Sequence, residues 1–271
     1  MKERPILFSS EMVRAILDGR KTQTRRPVNP QPPKNALNGV LCWPTGGEGM
    51  PKSWIGKFGY MYEVPSVGGH TESKFITSPY GGPGDRLWVR ETWRVYAIYP
   101  GEPIEIEFKA DMKHAPVDEA ATEEWEMKIW DQTVEELKRF GCSCEENTEY
   151  DISNYPSFKW RPSIHMPRWA CRTILEIVDV RMETIQDILR DEAFAEGIEV
   201  VDPYEYAEEC RPLRYFAYFK DYLDQNNFVS DPIVSFQTLW DSIYSKKQFS
   251  FSDNGLVWVY DFKKLEPTHA E

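Results

Sequence analysis

The stretch that most restricts the fold is Arg86-Leu-Trp-Val-Arg-Glu-Thr-Trp-Arg-Val-Tyr96, launched by the turn Tyr80-Gly-Gly-Pro-Gly-Asp85. Side chains alternate across a strand, so Leu87, Val89, Glu91, Trp93 and Val95 fall on one face. Trp88, Arg90, Thr92, Arg94 and Tyr96 fall on the other. The pattern predicts a long strand with one face in a core, and it sets Glu91 on the apolar face. A buried carboxylate needs a partner or takes up a proton. Two readings of Glu91 are open: it pairs with an arginine for structure, or it serves a site.

Further strands are expected at Pro5–Phe8, around Ile104-Ile106-Phe108, at 171–182 from the β-branched residues Ile174, Ile177, Val178 and Val180, and at 256–262. Helices alternate with them irregularly. Ser9 and Ser10 offer an N-cap to a short helix with Met12, Val13, Ile16 and Leu17 on one face and Gly19 as its stop. Thr133 with Glu136 reads as a capping box opening a helix to Gly141, and Thr184 opens a helical region through Asp187, Asp191 and Glu192 to Glu196-Gly197. A helix starting at Pro212 would carry Leu213, Phe216 and Leu223, and one opened by Asp231-Pro232 would bury Phe236, Leu239, Trp240 and Ile243. The fold class is therefore α+β. Residues 27–58 lack periodicity and read as a long loop.

Charge is distributed unevenly. The net charge is −12, yet residues 1–35 hold eight Lys or Arg against three Asp or Glu, whereas residues 101–160 hold six against sixteen. A basic N-terminal part with an acidic inserted lobe fits these counts, and phosphate would be repelled by that lobe. The lobe is expected to project away from any binding cleft, with a protein partner as one use for it. The segment Gly19-Arg-Lys-Thr-Gln-Thr-Arg-Arg-Pro27 carries four cations and two threonines. Read as a loop, it is either an anion site built from Arg20, Lys21, Thr24, Arg25 and Arg26, or a solvated basic turn at a helix end. The second unusual stretch is Lys159-Trp-Arg-Pro-Ser-Ile-His-Met-Pro-Arg-Trp169. There Arg168, Trp169 and His165 can stack on and clamp a base, or else the tryptophans plug the core and His165 bonds a carbonyl.

The five cysteines (42, 142, 144, 171 and 210) are an odd number in a chain of 271 residues. That fits reduced thiols in a bacterial-type or viral-type cytoplasm, and Cys142-Ser-Cys144 is a poor half of a zinc site, being closer than the usual ligand spacing. No metal and no cofactor is expected. No apolar run is long enough to span a membrane, and the N-terminus lacks signal-peptide character. No Walker, Rossmann or Gly-x-Ser-x-Gly motif is present.

Four motifs in order carry a resemblance: a helix ending in Gly-Arg-Lys-Thr-x-Thr-Arg-Arg, the Gly-Asp-Arg-Leu-Trp-Val-Arg-Glu strand, a strand and helix ending in Ala-Glu-Gly, and a terminal Trp-Val-Tyr-Asp-Phe strand. The chain resembles the ASCH-domain family in its larger bacteriophage or prophage form, and Pro-Ser-Ile-His-Met-Pro-Arg-Trp is typical of that subgroup. The resemblance covers roughly residues 4–28, 79–97, 160–198 and 233–264. It implies a single PUA-like domain over 1–271: a small β-barrel with flanking helices and insertions at about 30–78, 100–158 and 200–230. It further implies a cleft for RNA, a nucleotide or a modified nucleobase, reached by the basic segment at the barrel mouth, with Arg20, Arg25, Arg26, Glu91, Arg90, His165, Arg168 and Trp169 as candidate ligand contacts. One branch of the family hydrolyses N4-acetylcytidine with a Lys, a Thr and a Glu, which match Lys21, Thr24 and Glu196 here. Another branch has been assigned ribonuclease activity. The chain departs from the small amidohydrolase branch in its length, its acidic lobe and its second Trp/Arg loop.

Overall fold

A computed structural model describes residues 1–32, 36–41, 57–63, 71–98, 103–116, 123–139, 150–151, 159–201, 218–224, 227–247 and 249–265. The architecture is α+β. The largest sheet has the order β1 (Glu3–Leu7), β6 (Arg86–Arg90), β11 (Ile174–Thr184), β15 (Leu256–Leu265), β2 (Gln23–Pro27). Of the five strands expected from sequence, those near 5–8, 171–182 and 256–262 and the first half of 86–96 share this sheet. Among the described residues it is open, with β1 and β2 at its edges, and no pairing closes it into a barrel.

By their contacts the residues group into two compact units. The first comprises 1–4, 15–87 and 175–265. Within it β15 pairs antiparallel with β2, setting Tyr260 opposite Thr24 and Trp258 opposite Arg26. Val257, Trp258, Val259, Tyr260 and Phe262 are all buried, so β15 is covered on both faces. That explains why its sequence is nearly continuous in apolar residues. Helix α3 (Arg190–Ala195) ends at Glu196, and Gly197 follows at φ +83°, the left-handed conformation that glycine adopts without strain. Helix α4 (Pro232–Tyr244) is capped by Asp231, whose carboxylate accepts from the Ile233 N–H at 2.9 Å, with Pro232 in the first turn. Phe236, Leu239 and Trp240 are buried as their spacing predicts, and α4 packs against α3.

Two segments of this unit differ from expectation. Residues 36–41, 57–63 and 71–77 form an antiparallel meander, β3-β4-β5, inside the span read in part as a loop. Pro212 and Phe216 lie outside the described residues, but 218–220 is strand β13 between β12 (Val200–Val201) and β14 (Phe228–Val229). Leu223 then sits exposed in a turn instead of on a helical stripe.

The second unit comprises 5–14, 88–174 and 266–271, of which the last six are not described. Its sheet has the order β10 (Tyr150–Asp151), β7 (Trp93–Ile98), β8 (Glu105–Phe108), β9 (His114–Pro116). The expected strand 86–96 is thus two strands, which break at Glu91-Thr92 while the alternation of burial continues through Trp93 and Val95. Helix α2 spans Glu123–Arg139 and supplies Ile129 and Leu137 to a core with Trp93, Val95, Ile98, Ile106 and Phe108. Helix α2 of the acidic lobe is thus part of the core of the second unit. It begins ten residues before the expected capping box, and Thr133 is buried mid-helix, its hydroxyl without a hydrogen-bond partner among the described residues. The apolar stripe of α2, not the Thr133 hydroxyl, sets where it lies. No described helix is long and apolar enough to cross a membrane.

Candidate functional site

The basic segment is not a loop. Lys21 forms an isolated antiparallel bridge with Glu196, and Gln23–Pro27 is β2. Lys21, Thr24 and Arg25 are buried to 2–3% exposure, which ends the reading of a solvated basic turn. Backbone bonds fix the position: the Lys21 N–H donates to the Ala15 carbonyl and the Thr22 N–H to the Ala195 carbonyl, each at 2.9 Å. Residues 175 positions apart thereby meet. The Lys21 ammonium donates to the Glu196 carbonyl oxygen at 2.7 Å and to Glu196 Oε2 at 2.8 Å.

Carboxylates from β11, α3 and β15 enclose the remaining charge. Arg25 Nη1 reaches Glu196 Oε1 at 3.2 Å and the Gln23 amide oxygen, while its Nη2 reaches Glu183 at 2.6 Å and Glu192 at 2.8 Å. Arg181 binds Glu183, Glu192 and Asp261, and Gln23 donates to Asp261. Arg25 also lies 5.8 Å from the ring of Phe236 on α4. Lone buried charges are costly, and this network compensates each of them with geometry and count. Burial is the largest influence on Lys21 and lowers its proton affinity, aided by Arg26 and Arg25 and opposed by Glu196. Burial alone would raise Glu192, but the Leu189 N–H, Arg25 and Arg181 outweigh it and hold the carboxyl below its ordinary range.

Arg26 donates to the Tyr244 hydroxyl at 3.0 Å, and Tyr244, Tyr80 and Glu196 together overcome burial to raise its proton affinity. Opposite Thr24, the Tyr260 hydroxyl shares a 2.8 Å hydrogen bond with Ser78, and burial pushes the Tyr260 phenol well up. Arg20 is exposed and bonds the Gly197 carbonyl at 3.3 Å and the Asp18 carboxylate at 3.2 Å. The structure thus brings Lys21, Arg25 and Glu196 together, with Thr24 on the same strand.

The other expected contacts lie in the second unit. Glu91 is 1% exposed and receives a two-pronged Arg172 guanidinium at 2.8 Å to each oxygen. Arg172 also grips Asp111 at 2.9 Å with two nitrogens and lies 4.0 Å from the Phe108 ring. Burial still raises the Glu91 carboxyl above its ordinary value, against the pull of Arg172. This is the arginine-paired Glu91 that alternation allowed, and its carboxylate is committed to Arg172 rather than to the basic segment. Arg90 donates to the carbonyls of Met166 and Ile164 and lies 5.3 Å from the Trp88 ring, which Arg168 approaches at 6.0 Å. Trp169 meets Trp93 edge to face at 6.5 Å and packs on the core. His165 is exposed in a single 3-10 turn, Ser163–His165.

Glu183, Glu192, Arg181, Asp261 and Arg172 were not anticipated as partners. Part of their signal was present: Arg181, Glu183 and Asp261 are charges set in strands that also carry buried apolar residues. No group of three or more His, Cys, Asp or Glu among the described residues is placed to hold a metal ion. Of the cysteines only Cys171 is described, and it is a free thiol. Comparisons of the chain with protein-family models, with curated proteins and with solved structures each returned no match.

Proposed function

We propose that the chain is a PUA-like module of the ASCH type that binds a nucleobase, as RNA, a nucleotide or a modified nucleoside, around Lys21, Thr24 and Glu196. The observation that carries this reading is the 2.8 Å Lys21–Glu196 ion pair. It joins two residues that the resemblance assigned to one site and that nothing in their spacing would bring together. The paired ammonium and carboxylate offer a donor and an acceptor to a base edge, and the Thr24 hydroxyl lies three residues further along the chain, on the other face of the edge strand. Arg20, Arg25 and Arg26 support the centre: Arg25 holds Glu196, and Arg26 and Arg20 flank it along the chain.

One observation favours a second reading, hydrolysis of a modified base. Lys21 is wholly desolvated and its proton affinity is lowered, which is what a lysine requires to act as a base towards a hydroxyl such as that of Thr24. The test is a thermal-shift screen of modified nucleosides and short oligonucleotides, with product detection by mass spectrometry. Binding without turnover predicts a raised Tm and modest loss of affinity in Lys21→Arg. Turnover predicts that Lys21→Arg yields no product, because guanidinium stays protonated near neutrality. Failure of every nucleoside and oligonucleotide to shift the Tm would remove both readings.

A further inference from the structure

The second unit holds an open groove of about 550 Å³ between α2 and the turn 161–165. Its floor is Arg161, whose backbone exchanges hydrogen bonds with Trp93 at 2.7 and 3.2 Å and whose guanidinium stacks over the Trp93 ring at 5.2 Å. The side chain is therefore held in place before any ligand arrives. Like Arg90, which bonds backbone carbonyls, it has no carboxylate contact among the described residues, but it makes fewer side-chain hydrogen bonds than Arg90 does. Arg4, Arg25, Arg94, Arg172 and Arg181 each contact a carboxylate within 4 Å. The Arg161 guanidinium contacts none among the described residues, and its one side-chain hydrogen bond is a long one, 3.4 Å to the Gln132 amide oxygen.

We propose that this groove binds a phosphate ester, with Arg161 taking the phosphate. Arg161 presents a planar fork, and Lys128 of α2 and His165 of the 161–165 turn line the same groove as further donors. A tetrahedral group with three oxygens uses such a set more fully than a planar carboxylate does. The α2 side belongs to the acidic span whose overall charge should repel phosphate, but the groove itself is lined by three cations, Lys128, Arg139 and Arg161, against two acids. Glu135 is engaged by Arg139 at 3.7 Å, and Glu136 acts on Arg161 only through space. Burial disfavours the charged guanidinium, Glu136 offsets this in part, and a bound anion would offset more. A groove of this size accepts a molecule as large as a nucleotide. The inference does not rest on the Lys21 centre.

The test uses the full chain and calorimetric titration with inorganic phosphate, a nucleoside 5′-monophosphate, a short single-stranded oligonucleotide and acetate. The key variant is Gln132→Glu, which places a carboxylate against Arg161 without removing packing. At least one phosphate-bearing probe should bind, and Gln132→Glu should weaken it at least tenfold with the Tm unchanged or raised. Equal binding of phosphate and monophosphate identifies a small ligand, and binding of the oligonucleotide alone identifies a strand. The proposal falls if no phosphate-bearing probe binds, if Gln132→Glu binds like the wild type, or if acetate binds as tightly as phosphate. It also falls if Lys21→Met abolishes the binding, which would place the anion in the first unit.

Discussion

Replacing Arg172 by Met would leave Glu91 and Asp111 without their cation while retaining a flexible apolar chain against Phe108. Glu91 is 1% exposed and both its oxygens lie 2.8 Å from guanidinium nitrogens. With charge centres about 4 Å apart and an effective dielectric constant near 20, the lost attraction is about 4 kcal/mol. Losses on breaking buried pairs run to about 3–5 kcal/mol. Because Arg172 and Asp111 retain some solvent contact, we expect about 3 kcal/mol at pH 7. The loss should depend on pH. The Glu91 carboxyl is already raised above 4.5 in the folded protein, and removing Arg172 raises it further. A raised folded pKa favours the folded state most below the unfolded value, and that advantage fades as pH rises through the folded value. Asp111 runs the other way. Arg172 outweighs burial and depresses it, so it stabilises the wild type above about pH 3.8 and loses that contribution under acid. The Glu91 effect shrinks the difference between variant and wild type as pH falls from 7 through its raised folded value, and the Asp111 effect shrinks it further below about pH 3.8. Urea unfolding followed by tryptophan fluorescence at several pH values measures this, and Glu91→Gln combined with Arg172→Met should recover much of the loss at pH 7. A penalty below about 1 kcal/mol, or one independent of pH, would refute the account.

Gly197→Ala should cost on the order of 2–4 kcal/mol, read by chemical denaturation, since Gly197 has φ +83° and a Cβ would meet the Lys21 and Ala15 Cβ atoms at 2.8 and 2.9 Å. Glu192→Gln should flatten the acid limb of the stability curve: a depressed carboxyl stabilises above its ordinary value of 4.5 and loses that contribution as pH falls through the folded value. Thermal unfolding of variant and wild type between pH 7 and pH 3 checks it.

The strands were legible because burial imposes a period of two, and the helices because apolar residues recur at their turn spacing. Helix α4 carries every local signal, Asp231, Pro232 and the Phe236-Leu239-Trp240 stripe, and it forms where they place it. Thr133 and Glu136 carry a local signal too, yet they lie inside a longer helix. Ile129 and Leu137 pack on the core of the second unit, and burial of that stripe outweighs one cap. The break at Glu91-Thr92 was invisible because alternation continues across it. A change of sheet depends on where partner strands lie, not on the strand's own pattern.

The basic segment was the harder case, for a physical reason. Four cations in seven residues suggest solvent, since each must be compensated and local sequence offers few acids. Arg20 finds Asp18 nearby, but the buried Lys21 and Arg25 are compensated by Glu183, Glu192 and Glu196, all at least 150 positions away. Alternation within Lys21, Gln23 and Arg25 states that one face of the edge strand is polar, and alternation cannot say what lies against that face. Glu91 shows how far such reasoning extends. Its place on an apolar face required a cation, and a cation is there, but nothing near Glu91 in sequence specified Arg172. A charge on a buried face is therefore a local statement that a partner exists. Its identity is a tertiary fact. Arg161 gains its interest on the same reasoning, as a half-buried guanidinium over the Trp93 ring that contacts no carboxylate among the described residues.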